Sequence, residues 1–247
     1  MKTKTVFISD LHMFSRRSKP EQYLLDIKEA AKSANTFVFG GDIFDFEWTV
    51  FDSVEETVDT AAYWLDSLVA GHPSCSFHFV LGNHDFNLEL MEQLDRLSQK
   101  HNHFQWHRYF VRIGNALFLH GDISGSMEHN DLIAARVRCL AHQKKSKALH
   151  VLYDAVVHTN MHNVIAKTAN PAQKVICNIH SYVMSLGEGY HTGLRSVYFG
   201  HTHVPVEGHE YGGISFHNGG APMKGIRFKV IEAEIGQSNG ASYGREE

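Results

Sequence analysis

The sequence predicts a single α/β domain with a polar site at the carboxyl ends of its strands. Short apolar or β-branched runs alternate along the chain with segments whose apolar residues recur at helical spacing. Five of the strand-like runs end in short clusters of glycine, aspartate, asparagine and histidine. A length of 247 residues suffices for one substantial core, and no change in composition marks a second domain.

The first half of the chain alternates strands and helices in a βαβ pattern. We predict strands over residues 4–9, 36–39 and 76–81, and helices over residues 21–34, 54–68 and 88–97. The first of these helices places one set of apolar residues on a single face, namely Tyr23, Leu24, Ile27, Ala30 and Ala31. This order predicts parallel strands joined by helices.

The second half begins with further strands and then changes character. Strands are predicted over residues 109–113, 116–119, 196–199, 214–217 and 226–235. Residues 132–140 and 148–166 have helical spacing, with no strand pattern before Val175, and predict a helical cap inserted over the site at about residues 126–190. The domain is then expected to cover residues 1–235, and the polar residues 236–247 are expected to form a disordered tail.

Cysteine usage and hydropathy indicate the compartment. The 3 cysteines are far apart and form no CxxC pair, which supports neither a disulfide framework nor a zinc ribbon and favours a reducing environment. No apolar segment approaches the ~18 residues of a membrane span, and the amino-terminal one is too short for a signal peptide. We therefore expect a cytoplasmic protein.

The charge distribution suggests what the cap contacts. Net charge is −4, yet residues 126–174 carry seven Lys or Arg against three Asp or Glu. Such a basic segment can meet phosphates or the inner face of an anionic membrane, and it can equally be a solvated helical face. The cations concerned include Arg136, Arg138, Lys144, Lys145 and Lys147.

The five polar clusters contain the residue types that bind two divalent metal ions. Ligands gather beyond the carboxyl ends of strands in α/β sheets, so the clusters should converge in space. A carboxylate can bridge two ions ~3.5 to 4 Å apart, and Asp42 is placed for this behind a strand and two glycines. Asp10 and His12 alternate, so an extended backbone would turn both toward one ion. The predicted metal ligands are Asp10, His12, Asp42, Asn83, His120, His201 and His203.

This ligand set mixes oxygen and imidazole donors without a thiolate, which favours manganese, with iron or zinc as alternatives. The ions would lower the pKa of a bound water and hold phosphoryl oxygens. His84 then remains to protonate the leaving group or to stabilise phosphoryl charge, and Asp85 would orient it. A lone His or Asp is usually a surface residue, but five such clusters after five strands form a specific pattern.

Five short motifs resemble those of calcineurin-like metallophosphoesterases. They are Asp-Leu-His at residues 10–12, Gly-Asp-Ile-Phe-Asp at 41–45, Gly-Asn-His-Asp at 82–85, His-Gly-Asp at 120–122 and Gly-His-Thr-His at 200–203. The resemblance covers roughly residues 4–222 and implies a four-layer αββα sandwich. It also implies two ligand sets that share Asp42, one with Asp10, His12 and His203, the other with Asn83, His120 and His201.

The same resemblance implies roles for residues beside the ligands. His84 would be the catalytic histidine, and Asp45, Asp85 and Asp122 would fix the geometry of the ligands. Asn218 begins an Asn-Gly-Gly sequence that resembles the turn after the last motif, and we interpret it as a plain turn.

Within the family, the chain resembles the UDP-2,3-diacylglucosamine pyrophosphatases, in which the cap receives acyl chains. The resemblance lies in chain length, the Gly-Asp-Ile-Phe run, Asp85-Phe86, the insertion after residues 120–122 and Pro205. His84 and Val204 stand where that group often has arginine. The protein Ser/Thr phosphatase branch is disfavoured, because Phe46-Glu47 replaces its Arg-Gly. We expect a phosphorylated small-molecule or lipid-linked substrate and no nucleic-acid partner.

Two other functions remain open at this point. The chain could be a phosphodiesterase that acts on cyclic nucleotides or nucleic acid, which a panel of substrates would distinguish. It could also be a catalytically silent metal-binding scaffold for protein interactions. The intact set of predicted ligands and His84 argues against the scaffold.

Overall fold

The computed structural model describes residues 4–123, 125, 127–141, 144–146, 149 and 171–236. In this part of the chain two five-stranded sheets pack face to face, and helices cover their outer surfaces. The mixed α/β sandwich predicted from the sequence is confirmed.

The strands follow one another along the chain in two groups. They are β1 Thr5–Ile8, β2 Thr36–Gly40, β3 Ser76–Val80, β4 Phe104–His107, β5 Phe110–Ile113, β6 Ala116–Leu119, β7 Ser196–Tyr198, β8 Val206–Tyr211, β9 Ile214–Asn218 and β10 Ile231–Ala233. The first sheet has the order β10-β1-β2-β3-β4 and the second β5-β6-β7-β9-β8. Strands β1 to β4 are parallel, as are β6, β7 and β9, so the carboxyl ends of the central strands meet at one edge of the sandwich.

Helices connect these strands. A 3₁₀ turn, Pro20–Tyr23, precedes α1 Leu24–Ser33, and the others are α2 Val54–Ala70, α3 Leu88–Lys100, α4 His129–Cys139, α5 Ala172–Ser185 and α6 Glu188–His191. Two of them have side-chain caps: Ser53 accepts from the Glu56 N–H at 3.0 Å, and Asn87 accepts from the Leu90 N–H at 2.9 Å. Such caps satisfy backbone donors that a helix start leaves without partners.

Alternation along the strands builds two apolar layers. Phe7, Val38 and Val80 point toward the second sheet, where they meet Phe118 and Tyr198. Their neighbours along the strands point outward and pack against the helices, in the cluster that includes Phe37, Phe39, Phe77, Phe79, Leu65 and Leu94. Because both faces of β1 to β3 are buried, these strands are apolar almost throughout.

The described part of the predicted cap packs on the core. Leu132 of α4 is 2% exposed, and Ile176, Ile179 and Val183 of α5 are fully buried in the main apolar cluster. Helix α5 contacts β8 of the second sheet, and the segment at Val175, for which a strand pattern was predicted, is part of this helix. Residues 150–170, which hold most of the second predicted cap helix, lie outside the described residues, so its position over the site stays a prediction.

Two sequence predictions need correction. Strands β4 and β8 were not predicted, because their outward side chains are polar and the apolar alternation is short. The strand predicted over residues 226–235 is limited to β10. The predicted disordered tail, apart from Gly236, lies outside the described residues. Among the helices of the described chain, none is long and apolar enough to cross a bilayer.

A buried histidine pair lies on the adjacent strands β3 and β4. His78 on β3 shares the strand face of Val80, and its Nδ1 is 3.1 Å from Nε2 of His107 on β4. The two rings stack with centroids 5.4 Å apart. Burial lowers the pKa of His78 to about 4, and burial together with His78 lowers the pKa of His107 to about 3.

This pair predicts a loss of stability in weak acid. The unfolded chain binds protons on these histidines near pH 6.5, whereas the folded chain does not, so their contribution is complete above that pH and is lost toward pH 4. For His78 the limiting loss is about 3 kcal/mol. We expect urea unfolding with chelator present to show a smaller loss between pH 7.5 and 5 in His78→Gln than in the wild type. Equal losses in the two chains would contradict this assignment.

Candidate metal centre

The polar clusters that follow β1, β2, β3, β6 and β7 converge at one edge of the sandwich. Among the described residues, three groups of ligand types have donor atoms that all lie within 4.8 Å of one another. They are Asp10, His12 and His203; His12, Asp42 and His84; and Asp42, His120 and His201. The structure therefore brings the predicted ligands together from both sheets.

The first group joins the end of β1 to the loop after β7. His12 Nε2 is 3.0 Å from His203 Nε2, and that His203 atom is 3.5 Å from Asp10 Oδ1. Asp10 and His12 are completely buried, whereas the His203 side chain is 21% exposed. These donor atoms can surround one ion.

The second group joins the ends of β3, β6 and β7. Asn83 Oδ1 is 3.1 Å from both His120 Nε2 and His201 Nδ1. Asp42 Oδ2 is 3.2 Å from the same His120 nitrogen. An amide oxygen, two imidazoles and a carboxylate can surround a second ion.

Asp42 lies between the two groups. Its Oδ2 is 3.2 Å from His120 Nε2 and 3.7 Å from His12 Nε2, while its Oδ1 accepts a 2.8 Å hydrogen bond from the His84 N–H. The position expected for the bridging carboxylate is thus occupied by Asp42. However, the single atom Oδ2 is close to a nitrogen of each group, whereas a carboxylate that uses its two oxygens separately would turn one toward each group.

Five of the seven predicted ligands have left-handed backbone conformations. The φ angles are +55° at Asp10, +44° at His12, +52° at Asp42, +66° at His201 and +57° at His203. Residues other than glycine rarely adopt such angles, and each costs of order 1–3 kcal/mol. The extended geometry predicted for residues 10–12 is therefore wrong, although Asp10 and His12 still face one group.

Neighbouring loops hold this strained backbone in place. The Asp10 N–H donates to Gly41 O at 3.0 Å, and the His12 N–H donates to Asp42 O at 2.9 Å. Gly41, at φ +84°, is required here because a Cβ would lie 2.7 Å from the backbone of Gly82. The loops after β1, β2 and β3 therefore support one another.

Three of the histidines are prepared for metal binding. Burial lowers the pKa of His12 and of His201 to about 4, and it holds the pKa of His203 well below the ordinary value. Neutral imidazole is the form that binds a metal ion. These side chains are therefore ligand-competent at neutral pH.

The electrostatics of the buried acids fit a cationic occupant. Burial raises the pKa of Asp10 and of Asp85 to about 7, and the nearby Asp42 carboxylate raises it further, so a cation beside Asp10 would favour its charged form. For His120, burial favours the neutral form, but Asp42 outweighs it and raises the pKa to about 10. Two divalent cations would stabilise the carboxylates and replace that proton, so the residues present fit the group.

The Asp45 carboxylate lies between the rings of His12, in the first group, and His84. Its Oδ2 is 3.2 Å from His12 Nδ1 and its Oδ1 is 3.2 Å from His84 Nδ1, while the Trp48 N–H donates to Oδ1 at 2.9 Å. Burial favours neutral His84, but Asp45 and Asp42 outweigh it and raise the pKa of His84. Asp45 therefore orients the histidine.

The prediction that Asp85 orients His84 is corrected by the structure. Its carboxylate accepts from the Gly82 N–H at 2.5 Å and the Ile43 N–H at 2.9 Å. Asp85 thus ties the loop after β3 to the loop after β2. Its contacts are with the backbone that carries the ligands.

The sequence analysis did not identify Arg17. Its Nη2 is 2.5 Å from Asp45 Oδ2, 3.0 Å from His12 Nδ1 and 3.4 Å from both ring nitrogens of His84, and the residue is 8% exposed. Arg17 lies in an irregular loop, so no periodicity distinguishes it from the neighbouring Arg16. It places a permanent positive charge beside the first group.

Two further predictions change at the second group. Arg136, expected on the basic cap surface, is 1% exposed and forms a bidentate pair with Asp122, at 2.5 and 2.7 Å. Asn218, interpreted as a plain turn, is fully buried and donates to Gly200 O at 2.9 Å. Asn218 thereby braces the loop that carries His201.

Two cations of the predicted cap also contact the body of the protein. Lys145 pairs with Glu47 at 2.6 Å, and Lys144 donates to Phe51 O. Arg138 is exposed, and Lys147 lies outside the described residues. The described cations of the cap are therefore less available for a substrate or membrane than their sequence suggested.

A family model identifies the family to which the chain belongs. The family model of the calcineurin-like phosphoesterases matches residues 3–205. A comparison with curated proteins gives no match. Among solved structures, the chain is similar to a dimetal phosphatase from Danio rerio, with 12% identity, 98% of this chain and 99% of that chain covered, and a TM-score of 0.47.

The family match spans most of the chain and includes all five polar clusters. A dinuclear metal site is typical of this family, and the His/Asp groups at the strand ends are consistent with one. The chain therefore belongs to the calcineurin-like phosphoesterase family and is a metal-dependent phosphoesterase.

Proposed function

We propose that this protein hydrolyses a phosphate ester or anhydride with two metal ions. One ion is held by Asp10, His12, Asp42 and His203, and the other by Asp42, Asn83, His120 and His201. The observation that carries the assignment is the position of Asp42 Oδ2, which is 3.7 Å from a nitrogen of the first group and 3.2 Å from one of the second.

Two bound ions supply a water of lowered pKa and charge stabilisation for the phosphoryl oxygens. The protein provides the rest. Neutral His12, His201 and His203 are fixed as ligands by burial, and Asp45 sets the ring orientation of His12. We assign manganese as the working metal, with iron or zinc as alternatives, because the donors are oxygens and imidazoles.

His84 is the proposed proton donor to the leaving group. Its Nδ1 is 3.2 Å from Asp45 Oδ1, its side chain is 17% exposed, and nearby carboxylates raise its pKa against the effect of burial. A protonated imidazole held by a carboxylate, with one edge open to solvent, can act as a general acid. Asp85 contributes by holding the backbone of Gly82, next to Asn83 and His84.

For the substrate we propose a nucleotide-linked pyrophosphate such as UDP-2,3-diacylglucosamine. Exposed apolar side chains near the cap support an acyl-bearing substrate: Leu140 is 37% exposed, Leu149 44% and Val50 49%. Val50 belongs to the loop that Lys144 and Lys145 contact. Peripheral contact of the cap with the inner membrane face, in a cytoplasmic protein, is part of this proposal. The alternative substrate is a phosphodiester in a cyclic nucleotide or nucleic acid.

A panel of substrates tests the proposal. The manganese-loaded protein is given p-nitrophenyl phosphate, bis-p-nitrophenyl phosphate, 2′,3′-cyclic AMP and a UDP-linked diacylglucosamine, with Asn83→Ala as a control for contaminating hydrolases. We expect kcat/KM for the UDP-linked lipid to exceed the others by at least about a hundredfold, because only that substrate has acyl chains to contact exposed apolar side chains such as Leu140 and Leu149. Highest activity on the cyclic nucleotide or diester would favour the phosphodiesterase. Hydrolysis of none of the four would contradict the proposed function.

A further inference from the structure

Arg136 is a buried cation on the inner side of α4. Its Nε and Nη2 donate to the two oxygens of Asp122 at 2.5 and 2.7 Å, and its Nη1 donates to Leu81 O at 3.0 Å. Its guanidinium carbon lies 5.4 Å from the centre of the Phe86 ring. One side chain from a helix is thus bound to two separate loops.

Both loops carry ligands of the second group. Asp122 lies two residues after His120, and Leu81 lies two residues before Asn83. The donor atoms of these two ligands, His120 Nε2 and Asn83 Oδ1, are 3.1 Å apart. Arg136 therefore fixes the distance between the end of β3 and the end of β6 directly behind the ligands.

The geometry depends on a guanidinium. Its planar fork matches a carboxylate with two parallel bonds and still presents a further N–H to a third acceptor, which an ammonium cannot do in the same place. A buried ion pair is weak evidence for stability alone, because desolvation of both charges offsets their attraction. Its position behind two ligands indicates a role in their orientation.

The two metal groups have different supports. At the first group, Asp45 and Arg17 contact His12. At the second, Asp122 and Arg136 connect to the loops of His120 and Asn83. Outer partners of this kind typically change metal affinity by about ten- to a hundredfold. A change at Arg136 should therefore act on one ion and not on both.

We propose that Arg136 is a positioning residue for the second metal ion, and that binding of this ion depends on the docking of α4 against the ends of β3 and β6. The inference rests on the ligand assignment proposed above. By reciprocity, binding of the second ion must also stabilise the docked position of α4. The helix and the ion are then coupled, although α4 supplies no ligand of its own.

The test is a calorimetric titration of the metal-free 247-residue chain with Mn²⁺. We expect the wild type to bind two ions. Arg136→Lys, which keeps the charge and loses the fork, should bind the first with unchanged affinity and the second about ten- to a hundredfold more weakly. Arg138→Lys, the same change at an exposed position of α4, should leave both affinities unchanged. Asp122→Asn, which weakens the pair from the other side, should repeat the selective loss.

Hydrogen exchange gives a readout that does not depend on turnover. Filling the second site should slow exchange of the α4 amides in the wild type and have a smaller effect in Arg136→Lys. If each ion binds Arg136→Lys as tightly as it binds the wild type, the inference is overturned and the proposed function stays intact. Equal weakening of both ions would also overturn it. A wild type that binds at most one ion would contradict the ligand assignment, and the inference with it.

Discussion

Asp42→Asn is expected to lose both metal ions and nearly all activity. Asp42 Oδ2 is the atom that faces both groups, and an amide oxygen in its place carries no negative charge to hold two cations. Each ion supplies several kcal/mol of transition-state stabilisation, so kcat/KM should fall by about a thousandfold or more. Metal content by elemental analysis and hydrolysis of p-nitrophenyl phosphate measure the two effects.

Asparagine is the appropriate replacement because it tolerates the φ of +52° at this position. The charge of Asp42 repels Asp10 and Asp85 but attracts protonated His120, so far-ultraviolet circular dichroism is measured to show that the metal-free variant folds. Asp59→Asn, the same change on the exposed side of α2, serves as the control and should retain two ions and full activity. Two tightly bound ions in Asp42→Asn would exclude Asp42 as the bridge.

His84→Ala is expected to keep both ions and to lose rate. General acid catalysis contributes about a hundred- to ten-thousandfold, and His84 is the histidine of the site whose pKa is raised by Asp45 without an assigned ligand role. The loss should be larger for an alkyl phosphate than for p-nitrophenyl phosphate, because the better leaving group needs less protonation. An equal loss on both substrates would assign His84 to stabilisation of phosphoryl charge instead. An empty metal site in this variant would contradict the assignment altogether.

The variants Asp45→Asn and Asp85→Asn distinguish the roles of two carboxylates. Asp45 contacts the His84 ring, whereas Asp85 is next to His84 only in sequence. Asp45→Asn should reproduce much of the rate loss of His84→Ala, since it removes the charge beside the ring. Asp85→Asn leaves one of two backbone N–H groups without an acceptor and should cost about 1–3 kcal/mol of stability, with a smaller effect on kcat. If Asp85→Asn lowers kcat more than Asp45→Asn does, and both variants bind two ions, then Asp85 is the residue that orients His84.

The sequence predicted the positions of the proposed ligands better than the residues that contact them. Asp10, Asp42 and His120 each follow an apolar strand, so strand periodicity and the strand-end rule for α/β sheets were sufficient to place them. Nothing periodic places Arg17, which reaches Asp45 from a loop. Asp85 was assigned to His84 because the two residues are adjacent in sequence, but the contact with the His84 ring is made by Asp45.

Burial of charge was equally hard to predict. Arg136 lies among other cations and looked like part of a solvated face, yet its partner Asp122 is 14 residues away in sequence and draws it into the interior. The short polar strands β4 and β8 were missed for a related reason, since one face of each is exposed at or near a sheet edge. In both cases the environment is set by long-range packing.

The left-handed backbone at five ligand positions has a consequence for the evolution of this chain. Glycine at one of these positions would relieve the strain of the left-handed φ angle, but it would also remove the contacts of a buried side chain, such as the hydrogen bond that Asp42 accepts from the His84 N–H. For Asp10 the same change would also remove a buried carboxylate. Selection for activity therefore maintains strained φ angles that a chain without this site would not need.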